Sequence, residues 1–181
     1  TWPVRWGKKG EKKEILVYSN CPEAELFVNG VSQGKKQRNS QDFPAAGLRW
    51  EVTLQEGANT LRAVGINKKR QIADEIRQEY QTEKWGEEAQ ITITHTPLSN
   101  DTILIQAGLK DRNGVRCLDS RKFIEFGITG NGKLIQNQGT SVGSRKVQAY
   151  NGVACIKVVK FGKCAISAKG GDSMMNLFVM E

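Results

Sequence analysis

Short apolar runs punctuated by Gly, Asn, Asp and Pro fill the chain, and few stretches hold a helical period long enough to matter. Ile15 and Val17, followed by Tyr18, give a first strand. Ala24 to Val28 gives a second, ending at Asn29-Gly30, a pair that takes positive φ readily and closes a tight reversal into Val31–Gln33. Gly34 then opens a basic stretch, and Phe43-Pro44 leads into Leu48, Trp50, Val52 and Leu54. These four alternate strictly with Arg49, Glu51 and Thr53, so one face of that strand is buried and the other meets water. After a turn at Glu56-Gly57, Leu61, Ala63 and Gly65 oppose Thr60, Arg62, Val64 and Ile66. Both sets are largely apolar, which predicts a central strand. From Gln71 to Thr82, Ile72, Ile76 and Tyr80 fall at the four-residue spacing of a helix. A final edge strand fits better, because a lone helix would interrupt a seven-strand sandwich.

Residues 83–88 turn polar and charged, and Ile91 and Ile93 open a new alternating series, so the boundary falls between Gln81 and Gln90. The second series predicts strands at 102–109, 122–128, 132–136, 145–150, 152–160, 162–169 and 173–180. Asp111 to Gly114, Asn151-Gly152 and Gly170-Gly171 are the turns between them. The expected fold class is all-β, two consecutive immunoglobulin-like β-sandwich domains: 1–82, a linker at 83–89, and 90–181.

Composition adjusts this picture little. Of 181 residues, 38% are hydrophobic and 25% charged, enough apolar material for ordinary cores. The richest run, Ala154 to Ile156 with Val158 and Val159, is broken by Lys157 and Lys160 and falls far short of the roughly 18 residues of a membrane span. The chain opens without Met and without a leader pattern, which reads as a mature or excised segment. The formal charge of +8 raises the question of a polyanionic partner. Its carriers, Lys8, Lys9, Lys12 and Lys13, then Lys35, Lys36 and Arg38, then Lys68, Lys69 and Arg70, sit where β proteins place Lys to discourage edge pairing. No nucleic-acid partner is expected. The four cysteines show no CxxC spacing, and His95 is the single histidine, so no metal site and no cofactor are expected. Free, partly buried thiols are expected rather than a disulfide, which would need an oxidising compartment.

Candidate chemistry is sparse. A hydrolase needs a positioned acid and base, or a nucleophile with its base. His95 reads as a strand-end residue, and the glutamates, among them Glu23, Glu25, Glu51, Glu88 and Glu125, read as outward strand faces or charged loops. No catalytic residue is assigned. Gly130-Asn131-Gly132, with Gly139 and Gly143 beyond, resembles a phosphate loop only superficially, since Gly132-Lys133 is followed by Leu134 and a strand; turn glycines explain it better. Trp50 falls in the apolar phase of its strand. Trp2, Trp6 and Trp85 lie outside such phases and are the candidates for contact with carbohydrate or with a neighbouring domain.

The segment VYSNCPEAELFVNG at 17–30, followed by SQGK at 32–35, resembles a C-terminal β-sandwich domain of glycoside hydrolase family two, the family of β-galactosidases and β-glucuronidases. Phe43-Pro44, Trp50 to Val52 and GANTLRAVG at 57–65 follow in the family's order, and WPVRW at 2–6 is similar to the stretch leaving the catalytic barrel. AGLKDRNG at 107–114, IEF at 124–126, GNGKLI at 130–135 and YNGVA at 150–154 resemble the bacterial Ig-like domain that often follows. Family members commonly carry Asn-Gly-Asp near Gln138, Gly139 and Thr140, which this chain lacks. The resemblance implies a bacterial parent enzyme that cleaves β-linked glycosides, β-galactosidase-like, with retention through two carboxylates held in a barrel outside this segment. It implies as partners the catalytic barrel and N-terminal domains of the parent, with carbohydrate as an alternative, and a periplasmic or secreted location. The chain itself is then expected to be a noncatalytic scaffold or rim, or alternatively a carbohydrate-binding module.

Overall fold

A computed structural model describes residues 3–39, 46–135 and 144–180. Trp2, Phe43, Pro44 and the segment holding Gln138, Gly139, Thr140 and Gly143 lie outside the described residues. The chain divides into two units, Thr1–Glu83 and Lys84–Glu181, and the described residues form thirteen strands.

The first unit holds β1 (Val4–Trp6), β2 (Lys12–Val17), β3 (Glu23–Val28), β4 (Val31–Gln37), β5 (Leu48–Thr53), β6 (Gly57–Asn67) and β7 (Arg70–Gln81). One sheet runs β1-β7-β6-β3-β4, and a second, among the described residues, holds β2 and β5. The β3–β4 reversal is made by Asn29 at φ 51° and Gly30 at φ 81°, both in the left-handed region that a two-residue hairpin of this hand requires. The loop is tied down: Asn29 Oδ1 accepts from Thr60 N at 2.8 Å, and Asn29 Nδ2 donates to Asn59 Oδ1 at 3.0 Å. Buried Asn59 also accepts from Gln55 N and donates to the carbonyls of Gln55 and Gly57. Between the sheets Ala24, Leu26 and Val28 of β3 meet Trp50 and Val52 of β5, with Leu61 and Tyr80 alongside.

Gln71–Thr82 is strand, as preferred over helix, but not a plain edge. The strand ends at Gln81, its residues Arg70 to Tyr80 pair with β6, from Asn67 opposite Arg70 to Gly57 opposite Tyr80, and its last residues also pair in parallel with β1, Val4 opposite Glu79 and Trp6 opposite Gln81. The four-residue spacing of Ile72, Ile76 and Tyr80 is also a period of two, and those side chains share one face of β7. A three-residue strand such as β1 is too short to show any alternation, which is why its position beyond β7 was not expected.

The second unit holds β8 (Gln90–Pro97), β9 (Thr102–Lys110), β10 (Phe123–Ile135), β11 (Lys146–Gln148), β12 (Val153–Gly170) and β13 (Met174–Met180). Two pairs of expected strands are each one long strand. β10, ending at Ile135, stands where 122–128 and the described part of 132–136 were expected, and β12 where 152–160 and 162–169 were expected. The glycines between them are not turns: β10 carries a bulge between Gly130 and Gly132, and the pairing with β12 resumes beyond it. Glu125 to Gly130 pair with Lys169 to Cys164, and Gly132 to Ile135 with Lys160 to Lys157. β12 pairs with β9 through its first half and with β13 through its second.

One six-stranded sheet thus bends over on itself at the bulge, and its two halves are the two layers. Two observations fix this. Leu134 and Val158 before the bend and Phe126 and Ile166 beyond it belong to one buried core. The far ends of the sheet also meet, as Asn176 Nδ2 of β13 donates to the Ile91 carbonyl of β8 at 2.7 Å. Gly130 is required at the bend: its φ is 93°, and a Cβ there would stand 2.6 Å from the Lys163 carbonyl oxygen.

Candidate functional site

The second sheet of the first unit covers only part of the larger sheet beneath it. Trp50, buried to 3% exposure, anchors β5 over the β3–β4 side, its Nε1 donating to the Gly34 carbonyl at 3.0 Å while Lys36 Nζ sits over the ring. On the opposite side, along β2, the sandwich stays open, and a groove of about 680 Å³ runs there. One wall is the continuous segment Glu14 to Cys21, the floor includes Leu26, Leu61 and Ala63, and Ile72, Asp74 and Ile76 of β7 form the far side. Ile72 and Tyr80 share the inward face of β7, yet Tyr80 is 1% exposed and Ile72 is 69% exposed. The inner face of β7 therefore runs out from under its cover. Sequence reasoning missed this groove, because a strand pattern records which residues face inward and not whether a partner sheet reaches them.

The second unit carries a tight polar knot. Asp111, at the end of β9, is buried; its Oδ1 accepts from the amides of Asn113 and Val115, both at 2.9 Å, and its Oδ2 from the Gly86 amide at 2.8 Å. These backbone donors, Gly86 first, hold its carboxyl below the usual carboxylate range, against the opposing effect of burial. The predicted turn at Asp111 to Gly114 is present, with Gly114 N donating to the Asp111 carbonyl. Its carboxylate does more than the turn needs, since it also holds Gly86 of the segment 84–89. That segment, expected as a linker, is thereby held to the second unit: besides the Gly86 bond, Ala89 N donates to the Lys110 carbonyl and Glu88 pairs with Lys122 at 3.6 Å. Polar composition suggested a linker, but polar residues that bond to a neighbouring turn build structure equally well.

Glycoside hydrolysis needs one carboxyl with a raised pKa as acid beside an ionised partner. The described carboxyls with a displaced pKa are all displaced downward: Glu11 by its bond to Lys13, Glu88 by the Ser120 hydroxyl, and Asp111 by backbone amides. His95 lies near the end of β8 with its ring 4.9 Å from that of Phe178. Among the described residues no group of three His, Cys, Asp or Glu side chains could hold a metal. All four cysteines are free thiols; Cys117 is buried, and burial, with the carboxylates of Glu88, Asp111 and Asp119 nearby, pushes its pKa up to about 11.

The tryptophans singled out above fall apart between the units. Trp6 ends β1 in the first unit and is 37% exposed. Trp85 belongs to the second, where its Nε1 donates to Asp119 Oδ1 and Lys84 Nζ lies 4.9 Å from the ring centroid. Trp2 is outside the described residues. Among the described residues no helix is long and apolar enough to cross a membrane.

Residues 10–73 match a family model described as a domain of unknown function, DUF4982. A protein of Formosa agariphila provisionally named a β-glucuronidase is 42% identical over 164 residues, 90% of this chain but 20% of its own length. A β-galactosidase of Bacteroides ovatus is 28% identical over 120 residues, 64% of this chain and 13% of its own. Among solved structures, the apo β-glucuronidase 3 of Bacteroides uniformis superposes with a TM-score of 0.90 at 56% identity, over 99% of this chain and 23% of that one. The chain thus spans about a fifth of the curated relative it matches over most of its length. By sequence and by fold it belongs with the C-terminal β-sandwich region of glycoside hydrolase family two enzymes.

Proposed function

We infer that this accessory region is the noncatalytic support of a longer retaining glycoside hydrolase, and that the parent acts on β-glucuronides. The supporting observation is the coverage. Sequence and fold agree with the Bacteroides uniformis β-glucuronidase over nearly all of this chain and over less than a quarter of that enzyme. A region of this kind contributes packing and spacing while the acid and nucleophile carboxylates stand elsewhere in the parent. The preference for glucuronide over galactoside rests on the closer identity to the proteins named β-glucuronidase, 42% and 56%, than to the β-galactosidase at 28%. An exported bacterial enzyme is part of the same reading.

The test is a comparison of the 181-residue chain with the native full-length polypeptide on chromogenic β-glucuronide and β-galactoside. The chain alone is expected to turn over neither, and the full polypeptide to prefer the glucuronide. Turnover by the chain alone would overturn the noncatalytic reading, and preference for the galactoside would overturn the assignment of substrate. A native polypeptide no longer than this chain would remove the parent altogether.

A further inference from the structure

We propose that the groove along β2 is an acceptor for one extended, mainly apolar strand supplied by the remainder of the longer polypeptide, which adds to the free edge of β2 and completes the second sheet of the first unit. The proposal rests on the reading of this chain as a region of a longer enzyme. Its geometry comes from the groove itself.

In a strand, successive side chains point to opposite faces, so a pocket lying only under the sheet would be lined by every second residue. The groove is lined by Glu14, Ile15, Leu16 and Val17 in succession, and by no residue of β5. The opening therefore lies along the outer backbone edge of β2, on the side away from β5. That edge is unpaired among the described residues, since β2 bonds only to β5. Exposed edges are ordinarily blunted by charge, Pro or a bulge. Here the charges, Lys12 to Glu14, occupy one end, and the consecutive apolar run Ile15-Leu16-Val17 occupies the other.

Beneath the edge, Leu61 and Ala63 continue to Ile76 and the exposed Ile72 as a mainly apolar floor, with Asp74 between the two isoleucines and Arg5 and Gln78 at its border, and it stays open among the described residues. A strand seated there would bond its backbone to β2 and place alternate side chains on this floor, the arrangement by which an edge strand is captured in general. The six residues of β2 give a seat about 20 Å long at the usual rise per residue. The donor comes from the same polypeptide because the chain spans 20% of the Formosa agariphila relative and 23% of the Bacteroides uniformis enzyme. Most of such a polypeptide lies outside this segment, and a tethered strand is presented at high effective concentration.

Hydrogen exchange of the native full-length polypeptide, with and without Ile72→Lys, tests the proposal, alongside the 181-residue chain alone. In the chain alone, the β2 amides that point away from β5 are expected to exchange freely. In the full polypeptide they should slow by at least about 100-fold, and Ile72→Lys should abolish that slowing while leaving the melting temperature of the isolated chain unchanged. Val31→Lys, at an apolar position of β4 that is 65% exposed, is the control and should leave β2 protection intact. Three results overturn the proposal: free exchange along β2 in the full polypeptide, full protection of β2 already in the isolated chain, or protection that appears in the isolated chain as its concentration rises, which assigns the edge to a second copy. A full polypeptide that hydrolyses β-glucuronide yet leaves β2 unprotected sinks this proposal and spares the reading of function. A native polypeptide of only these residues sinks both.

Discussion

The two units draw on the same vocabulary of short alternating strands and close their sandwiches in different ways. The second unit bends one sheet over itself, so that β10 and β12 serve both layers and every strand helps cover the same core, which gathers sixteen buried residues among those described. The first unit sets two separate sheets face to face, five strands against two, and its core gathers eight. A folded sheet covers itself because its layers are continuous. Two sheets of unequal width leave a margin, and in the first unit that margin is the groove beside β2.

The comparison breaks most directly at Phe126, which lies 1% exposed within the second core. Phe126→Ala should cost the second unit about 3–5 kcal/mol, the usual loss for a buried aromatic ring. Urea unfolding followed by hydrogen exchange of β10 and β12 measures it. If those strands keep their protection, the second core is not a single cooperative body.

Gly130 sharpens the same point at the bend. Any side chain there is strained by its positive φ, and the close approach of the Lys163 carbonyl leaves no room for a Cβ. Gly130→Ala should cost roughly 1–3 kcal/mol from backbone strain, with exchange quickening on both sides of the bulge. Gly162, across on β12, has no positive φ, and Gly162→Ala should cost less. Equal losses at the two positions would mean that the bend is not seated at the bulge.

The first unit depends more on its polar fastening. Asn59 is 1% exposed and joins the β5–β6 connection to the β3–β4 hairpin through Asn29. Asn59→Ala strands those partners, and about 1–3 kcal/mol of stability should be lost. The midpoint shift in urea reports it, and a shift near zero would show that the core alone holds the hairpin.

Much of this was legible in the residues. The alternation of Leu48 to Leu54 and the Asn29-Gly30 pair announced strand and hairpin directly, because burial of one face and positive φ leave marks on composition. Gly130-Asn131-Gly132 misled for a physical reason: a glycine supplies positive φ to a turn and to a bulge alike, and only the register across β12 distinguishes them. Trp50 was readable as core from its phase. The groove was not readable, since it arises from the width of a neighbouring sheet. Nor was the role of Asp111, whose Gly86 donor is distant in sequence and carries no side chain to advertise it.

Acid is the mildest probe of the contrast, and it should act on the second unit through that same carboxylate. Amides of Gly86, Asn113 and Val115 bond to Asp111 most strongly while it is ionised, and its folded pKa lies below the value of about 3.9 expected in the unfolded chain. A carboxyl displaced in this direction adds stability at and above its unfolded pKa, and the contribution drains away as pH falls from there through the folded one. Glu88 is displaced the same way, by Ser120 and then Lys122, against its burial. Cys117, pushed up to about 11, stays neutral throughout and adds nothing to this limb. Stability of the second unit should therefore be flat between pH 7 and 5 as far as these groups act, then decline below about pH 4. The Gly86 amide should lose protection there first, and Asp111→Asn should flatten the decline at the expense of a lower plateau at neutral pH. If the acid limb keeps its slope in that variant, the knot around Asp111 is not what carries it, and the carboxylate pair of Glu88 with Lys122 becomes the group to substitute next.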